Sequence, residues 1–212
     1  MPGKDASGFV LLSDVVPHIV QEIRYFSTFN FVGDRVDGYE EPIALLTREA
    51  ARALKTVSNE MMAKGYRLKV YDAYRPVQAV KHFIFWAIED EDIRMKPYFY
   101  PGIDKQDTFT RGYIARQSSH SRGSAIDLTL LDMKTGCELD MGGPFDLFDE
   151  RSHPDYRGIT DEQYANRMLL RSAMTRNGFE PYECEWWHFR LADEPFPDTY
   201  FNFPVAQASV KA

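Results

Sequence analysis

The spacing of hydrophobic and polar residues divides the chain into helical and extended segments. Three stretches carry apolar residues at helical spacing and are predicted to be amphipathic helices: 47–64, 77–90 and 161–177. Three others show the alternation or the short apolar runs of strands: 66–74, 125–131 and 183–191. Proline, glycine and polar residues mark the remaining long segments as irregular: 91–117, 132–160 and the tail from Asp193 on. Because helices and strands mix without regular βαβ repetition, the pattern predicts an α+β fold with a central, mainly antiparallel sheet flanked by helices.

Local signals place the ends and faces of these elements. Thr47 is suited to cap the first helix, and Gly65 is suited to end it in the C′ position. In the strand that follows, the period of two places three residues on one face: Leu68, Val70 and Asp72.

Composition and charge narrow the class of protein. The 212 residues suit a single domain, 1–212, and 44% apolar with 27% charged residues is typical of a globular chain. A formal charge of −7 without dense Lys/Arg blocks argues against a nucleic-acid partner. No apolar run approaches the ~18 residues of a membrane span, and no signal peptide is visible. We therefore expect a cytoplasmic protein without a membrane partner; removal of a leader would leave a periplasmic location open.

The cysteines contribute little to the functional hypothesis. Cys137 and Cys184 are the only two, which excludes a disulfide framework and a CxxC metal site. We expect two buried or partly buried thiols, with a single disulfide as the alternative.

The segment SSHSRGSAID, residues 118–127, carries the first candidate chemistry. Asp127 lies inside an apolar strand, where a carboxylate is unfavourable unless it is paired or bound to a metal. His120 would face away from Asp127 on a continuous strand, but Gly123 supplies a bend between them. These residues support two hypotheses equally: a metal-ligand pair, or a turn histidine with Asp127 paired to an arginine.

The segment EWWH, residues 185–188, carries the second set of candidate catalytic residues. On a helix Glu185 and His188 would share a face, but the aromatic composition predicts a strand, where a bulge or the strand end must bring them together. Taken alone, an exposed glutamate and a core histidine explain the pattern as well. With His120 and Asp127, His188 completes a three-ligand zinc set that leaves a fourth position for water. A nearby carboxylate such as Glu185 can then act as general base.

The two segments resemble the SxHxxGxAxD and ExWH patterns of the VanX-type D-alanyl-D-alanine dipeptidases. Further segments are similar to those of the family and extend the resemblance over nearly the whole chain: DAYRP at 72–76, MGGPFD at 141–146 and YFNFP at 200–204. Ala73 stands where the family pattern has glycine. The resemblance implies the fold of the D-Ala-D-Ala carboxypeptidases and the hedgehog signalling domain.

The resemblance also implies roles for individual residues. It implies one Zn²⁺ per chain, bound by His120, Asp127 and His188. It assigns Glu185 as the catalytic base, with Glu183 as a rival by proximity only, and Arg75 as the group that stabilises the oxyanion. Asp146 matches the acid that binds the substrate ammonium. Further candidates, each with an equally supported structural alternative, are Tyr25, Tyr39, Ser118 and Ser119 as hydrogen-bond donors and Asp72 as a residue that orients a neighbour.

The activity implied is hydrolysis of D-alanyl-D-alanine, a small dipeptide, in glycopeptide resistance or in recycling of cell-wall dipeptides. We expect residues 91–117 with Trp186 and Trp187 to enclose the site and exclude longer peptides. One alternative is a carboxypeptidase or endopeptidase that acts on longer cell-wall peptides. Another is a non-catalytic zinc-binding module, although such a module requires neither Glu185 nor Arg75.

Overall fold

The computed structural model describes residues 5–210, and within them it has two sheets and six α-helices. The strands are β1 (Phe9–Leu11), β2 (Val20–Gln21), β3 (Leu45–Thr47), β4 (Tyr66–Asp72), β5 (Ala125–Asp132), β6 (Phe179–Tyr182) and β7 (Glu185–Leu191). The helices are α1 (Leu12–Val15), α2 (Arg48–Ala63), α3 (Val77–Ile88), α4 (Lys96–Phe99), α5 (Asp107–Thr110) and α6 (Asp161–Arg176). The three long helices and the three long strands therefore lie where the sequence predicts them.

The main sheet is mixed, with the strand order β2-β4-β5-β7-β6. The short edge strand β2 runs parallel to β4, and the other neighbours are antiparallel, which confirms an α+β fold with a mainly antiparallel sheet. A separate two-stranded sheet joins β1 and β3. The sequence pattern did not predict β1, β2, β3 or β6, because two to four residues are too few to show a period.

Helix α2 shows how local chemistry sets these elements. The Thr47 hydroxyl accepts a hydrogen bond from the backbone N–H of Ala50, and Gly65 follows the helix with a φ of +88°. Both predicted ends are confirmed. Its apolar stripe is fully buried, and α2 packs against β4 and α6.

The alternation predicted for β4 is wrong at its end. Val70 pairs with Leu128, but Asp72 pairs with Asp127, so a β-bulge lies between Val70 and Asp72. The extra residue shifts the register by one, and a shift by one residue moves a side chain to the other face. Asp72 therefore lies on the face of Asp127, opposite to Val70.

Gly123 makes the predicted bend between His120 and Asp127. A 3₁₀ turn, Ser119–Arg122, ends at Gly123, whose φ of +84° lies in the left-handed region. A Cβ at this position would lie 2.1 Å from Cε1 of Phe9, so a side chain is excluded by space as well as by backbone conformation. The turn returns His120 to the start of β5.

The remaining general predictions concern the thiols and the membrane. Both cysteines are free; Cys184 is partly buried as expected, but Cys137 is exposed because it lies in the irregular segment after β5. No helix between residues 5 and 210 combines the length and apolarity that a bilayer crossing requires.

Substitution of Gly123 by alanine should destabilise the protein more than the same change at Gly65. Both glycines have a positive φ, which costs an alanine about 1–2 kcal/mol. Only Gly123 adds a steric clash, worth about 1–3 kcal/mol, because no atom lies within 4 Å of a Cβ at Gly65. Urea denaturation measures both losses. Equal losses for the two variants would show that the contact with Phe9 does not restrict Gly123.

Candidate metal centre

Three side chains from two strands and one turn converge on one point of the sheet. Asp127 of β5 lies directly opposite His188 of β7 in the strand register, and His120 comes from the 3₁₀ turn before β5. Nδ1 of His188 lies 3.0 Å from Nε2 of His120 and 3.1 Å from Oδ1 of Asp127. Nε2 of His120 lies 3.3 Å from Oδ2 of Asp127. The structure thus brings the three predicted ligands together.

The outer hydrogen bonds of the histidines leave their inner nitrogens without protons. Nδ1 of His120 lies 2.6 Å from the carbonyl oxygen of Ala73, which can only accept, so Nδ1 carries the hydrogen and Nε2 a lone pair. Nε2 of His188 lies 3.3 Å from Oγ of Ser119, and a hydroxyl can accept from Nε2 in the tautomer that leaves a lone pair on Nδ1. Because the bond to position 73 uses the backbone, alanine in place of the family glycine preserves it.

These atoms fit a bound metal ion. Two lone pairs and a carboxylate oxygen that face one another at 3.0–3.3 Å repel unless a cation lies among them. A tetrahedral ion with bonds of about 2.1 Å separates its ligand atoms by about 3.4 Å, close to the spacing seen here. His120, Asp127 and His188 also form a His/Asp group whose ligand atoms all lie within 4.8 Å of one another.

Burial and mutual charge set the protonation of the ligands. Burial opposes the ionisation of Asp127, but the two imidazoles outweigh it and hold the pKa of Asp127 well below its usual range. Burial also lowers the pKa of His188, despite the opposing effect of Asp127. An ionised carboxylate and a neutral imidazole are the forms that bind metal.

Glu185 reaches the metal ligands across an irregular strand pairing. Pro181 pairs with Phe189 but Tyr182 pairs with Glu185, so the register of β7 shifts there, and Glu185 is also the first residue of the strand. A bulge or the strand end was expected to bring Glu185 and His188 together. Oε2 of Glu185 lies 3.8 Å from Nδ1 of His188. Burial, then the charges of nearby carboxylates, raise the pKa of Glu185 well above its usual value, which makes it a stronger base. The rival Glu183 is exposed.

Arg75 lies at the end of β4 and is held in place by Asp72. Its Nη2 lies 2.8 Å from Oδ2 of Asp72 and 3.5 Å from Oδ2 of Asp127. The guanidinium also packs 4.9 Å from the ring centre of Tyr25. Asp72 in turn accepts a hydrogen bond of 2.6 Å from the Tyr39 hydroxyl. The bulge in β4 is what places Asp72 on this face, so it fixes the position of Arg75.

Asp146 supplies a further buried carboxylate beside the centre. It has a φ of +61°, and the Tyr25 hydroxyl donates to its two oxygens at 3.0 and 3.1 Å. Burial, with the charge of Asp127 as the next cause, raises the pKa of Asp146 to about 8. A buried carboxylate whose partner is a neutral phenol is an acceptor for a cation that enters from outside.

A cavity of about 430 Å³ opens onto these groups. Nine of the predicted site residues line it: Tyr25, Arg75, Ser118, Ser119, His120, Asp127, Asp146, Glu185 and His188. Asp72 and Tyr39 lie behind Arg75 instead. Residues 112–115 and 117 of the irregular excursion also line it, as expected.

The aromatic enclosure differs from the one expected. Trp186 and Trp187 are buried and pack against each other, and Trp187 packs on Phe145, so neither lines the cavity. Other aromatic residues do: Phe31, Phe83, Tyr113, Phe148 and Tyr182. Tyr113 belongs to the excursion that was expected to enclose the site; the sequence did not predict the other four, because they come from separate segments and no motif marks them.

An α+β fold whose sheet presents two histidines, an aspartate and an adjacent basic carboxylate defines a metallopeptidase class of enzyme. The chain belongs to the D-Ala-D-Ala dipeptidase family of M15 peptidases, whose family model matches residues 5–206. D-alanyl-D-alanine dipeptidases of Enterococcus faecalis and Streptomyces coelicolor are 44% and 42% identical to it, over 94% and 93% of this chain and 99% and 98% of theirs. One from Escherichia coli is 35% identical over 88% of this chain and 86% of its own. The predicted family is confirmed.

Alanine at His188 should abolish stoichiometric binding of a divalent metal, because it removes one of three converging ligands. Alanine at His153, which lies in an irregular segment outside the cavity lining, should leave metal content unchanged. The test is the molar ratio of metal to protein in the two purified variants and in wild type. Loss of metal in the His153 variant, or its retention in the His188 variant, would show that the ion binds elsewhere.

Proposed function

We propose that this chain is a zinc-dependent D-alanyl-D-alanine dipeptidase. The observation that carries the proposal is the convergence of three metal-ligand atoms beside Glu185 in a cavity of about 430 Å³. The relatives, which are named for this activity and match nearly the full chain, support the choice of substrate.

Zinc suits this ligand set. Two imidazole nitrogens and one carboxylate, with a position left for water or substrate, are a ligand set of catalytic zinc sites. Imidazole favours transition metals over Mg²⁺ and Ca²⁺, which prefer oxygen ligands. We propose one zinc ion per chain, bound by His120, Asp127 and His188.

In the proposed reaction, Glu185 and Arg75 have separate roles. When bound, zinc supplies a water of lowered pKa and polarises the peptide carbonyl. Glu185 takes the proton of the attacking water and returns it to the leaving amine. Arg75, whose position is fixed by Asp72, faces the negative charge that grows on the carbonyl oxygen.

The remaining polar residues suit the two ends of a dipeptide. The free ammonium group pairs with Asp146, whose raised pKa falls when a cation arrives. Ser118 accepts a hydrogen bond from the His120 backbone, and Ser119 lies 3.3 Å from Nε2 of His188; both hydroxyls line the cavity and suit the substrate carboxylate as donors. Tyr25 holds Asp146 in place, and Tyr39 acts through Asp72.

The proposal extends to the whole fold. The family match over residues 5–206 and the continuous buried core support a single domain. They also support a fold shared with the D-Ala-D-Ala carboxypeptidases and the hedgehog signalling domain, in which the metal lies on one face of the sheet.

A substrate comparison tests the function. Zinc-loaded protein should hydrolyse D-Ala-D-Ala to two D-alanines, lose this activity on chelation and regain it with zinc. A longer peptide that ends in D-Ala-D-Ala should be cleaved far more slowly, because the cavity is small. Preference for the longer peptide would support a carboxypeptidase instead. Stoichiometric zinc without cleavage of either would support a non-catalytic module.

Replacement of Glu185 by glutamine should separate chemistry from metal binding. The amide keeps the size of the side chain but cannot accept the proton, so kcat should fall by about 10²–10⁴. Zinc content and thermal stability should stay near wild type. A glutamine at the exposed Glu183 is the matched control and should keep full activity. Near-wild-type turnover of the Glu185 variant would contradict its role as base.

A further inference from the structure

One wall of the cavity depends on few contacts. Residues 112–117, here called the 112–117 wall, follow the single-turn helix α5. The backbone N–H groups of Gly112, Tyr113 and Ile114 donate only within this region, to the carbonyls of Phe109 and Thr108. The Tyr113 ring stacks on Phe148 at 5.1 Å between ring centres. These bonds shape the wall, but they do not join it to the sheet that carries the metal ligands.

Tyr182 makes a direct connection between the wall and that sheet. It ends β6, opposite Glu185 in the strand register. Its hydroxyl donates to the carbonyl oxygen of Gly112 at 3.1 Å, and its ring packs edge-on against the His188 ring with 5.5 Å between centres. Gly112 itself has a φ of +80°, so its carbonyl is presented by a conformation that favours glycine.

The position of this contact matters for the size of the site. Tyr182 and the wall both line the cavity, whose volume of about 430 Å³ is near the lower end of the usual range for ligand pockets, about 300–1,000 Å³. The 112–117 wall bounds one side of this space, and its backbone bonds to Phe109 and Thr108 do not tie it to the sheet. Its movement away from β6 would enlarge the space open to a longer substrate.

We propose that Tyr182 is a specificity-determining positioning residue, which restricts the cavity to dipeptides by holding the 112–117 wall against β6 through its bond to Gly112. The inference rests on the proposed dipeptidase function and deepens it. Tyr182 has no part in the chemistry. It acts through the wall, so its loss should change which substrates enter more than how fast a bound substrate reacts.

Replacement of Tyr182 by phenylalanine tests this with minimal change, because the ring and its contact with His188 remain. One neutral hydrogen bond corresponds to about a two- to tenfold change in an equilibrium. The ratio of kcat/KM for D-Ala-D-Ala-D-Ala to that for D-Ala-D-Ala should therefore rise about two- to tenfold, chiefly through a lower KM for the tripeptide. Phenylalanine at Tyr98, which is 58% exposed in the same excursion, is the matched control and should leave the ratio unchanged.

Hydrogen exchange supplies a readout that does not need turnover. Backbone amides of residues 112–117 should exchange faster in the Tyr182 variant than in wild type, while those of β5 should not change. An unchanged substrate ratio in a variant that hydrolyses the dipeptide would overturn the proposal, whether or not exchange rises. If the zinc-loaded wild type leaves D-Ala-D-Ala intact, the dipeptidase function fails instead, and exchange still decides whether Tyr182 fixes the wall.

Discussion

The burial of the Asp127 carboxylate in the middle of an apolar sheet is the constraint on which the site depends. Asp127 is 2% exposed, and its strand neighbours Ile126 and Leu128 are fully buried. An isolated charge there would be strongly unfavourable, so it requires cations and hydrogen-bond donors around it. Arg75 supplies one partner within the protein, and the proposed metal ion, shared with His120 and His188, would supply the other. The convergence of segments distant in sequence follows from this requirement.

Two irregularities of the sheet make the convergence possible. Regular strands would send Asp72 to the opposite face from Asp127 and Glu185 to the opposite face from His188. The bulge in β4 and the register shift between β6 and β7 correct both, each beside a residue of the site. The left-handed turn at Gly123 brings His120 back beside Asp127. Each departure from regular structure therefore has a chemical consequence.

The sequence predicts the site best where the type of a residue limits the environments in which it can lie. The convergence of His120, Asp127 and His188 could be predicted only from the two segments together and from the family resemblance, because each segment alone had an equally good structural explanation. The bend at Gly123 and the bulge before His188 followed from the period of a strand. The bulge at Asp72 could not be predicted, because its sequence alternates normally. Nor could Tyr182 or Phe148 be assigned to the cavity, since tertiary packing alone brings them there.

The balance of charge explains why metal and substrate belong to the same site. Four carboxylates lie close to the metal-ligand group, from Asp72, Asp127, Asp146 and Glu185, and the guanidinium of Arg75 lies among them. With all of these groups ionised, three negative charges are uncompensated; burial first, and then the nearby negative charge, raise the pKa values of Asp146 and Glu185. A divalent ion leaves one such charge, and the ammonium group of a peptide removes it. The other arginines of the cavity lining, Arg122 and Arg190, are already paired with Glu194, so a free amino end contributes more to recognition by this site than a free carboxyl end.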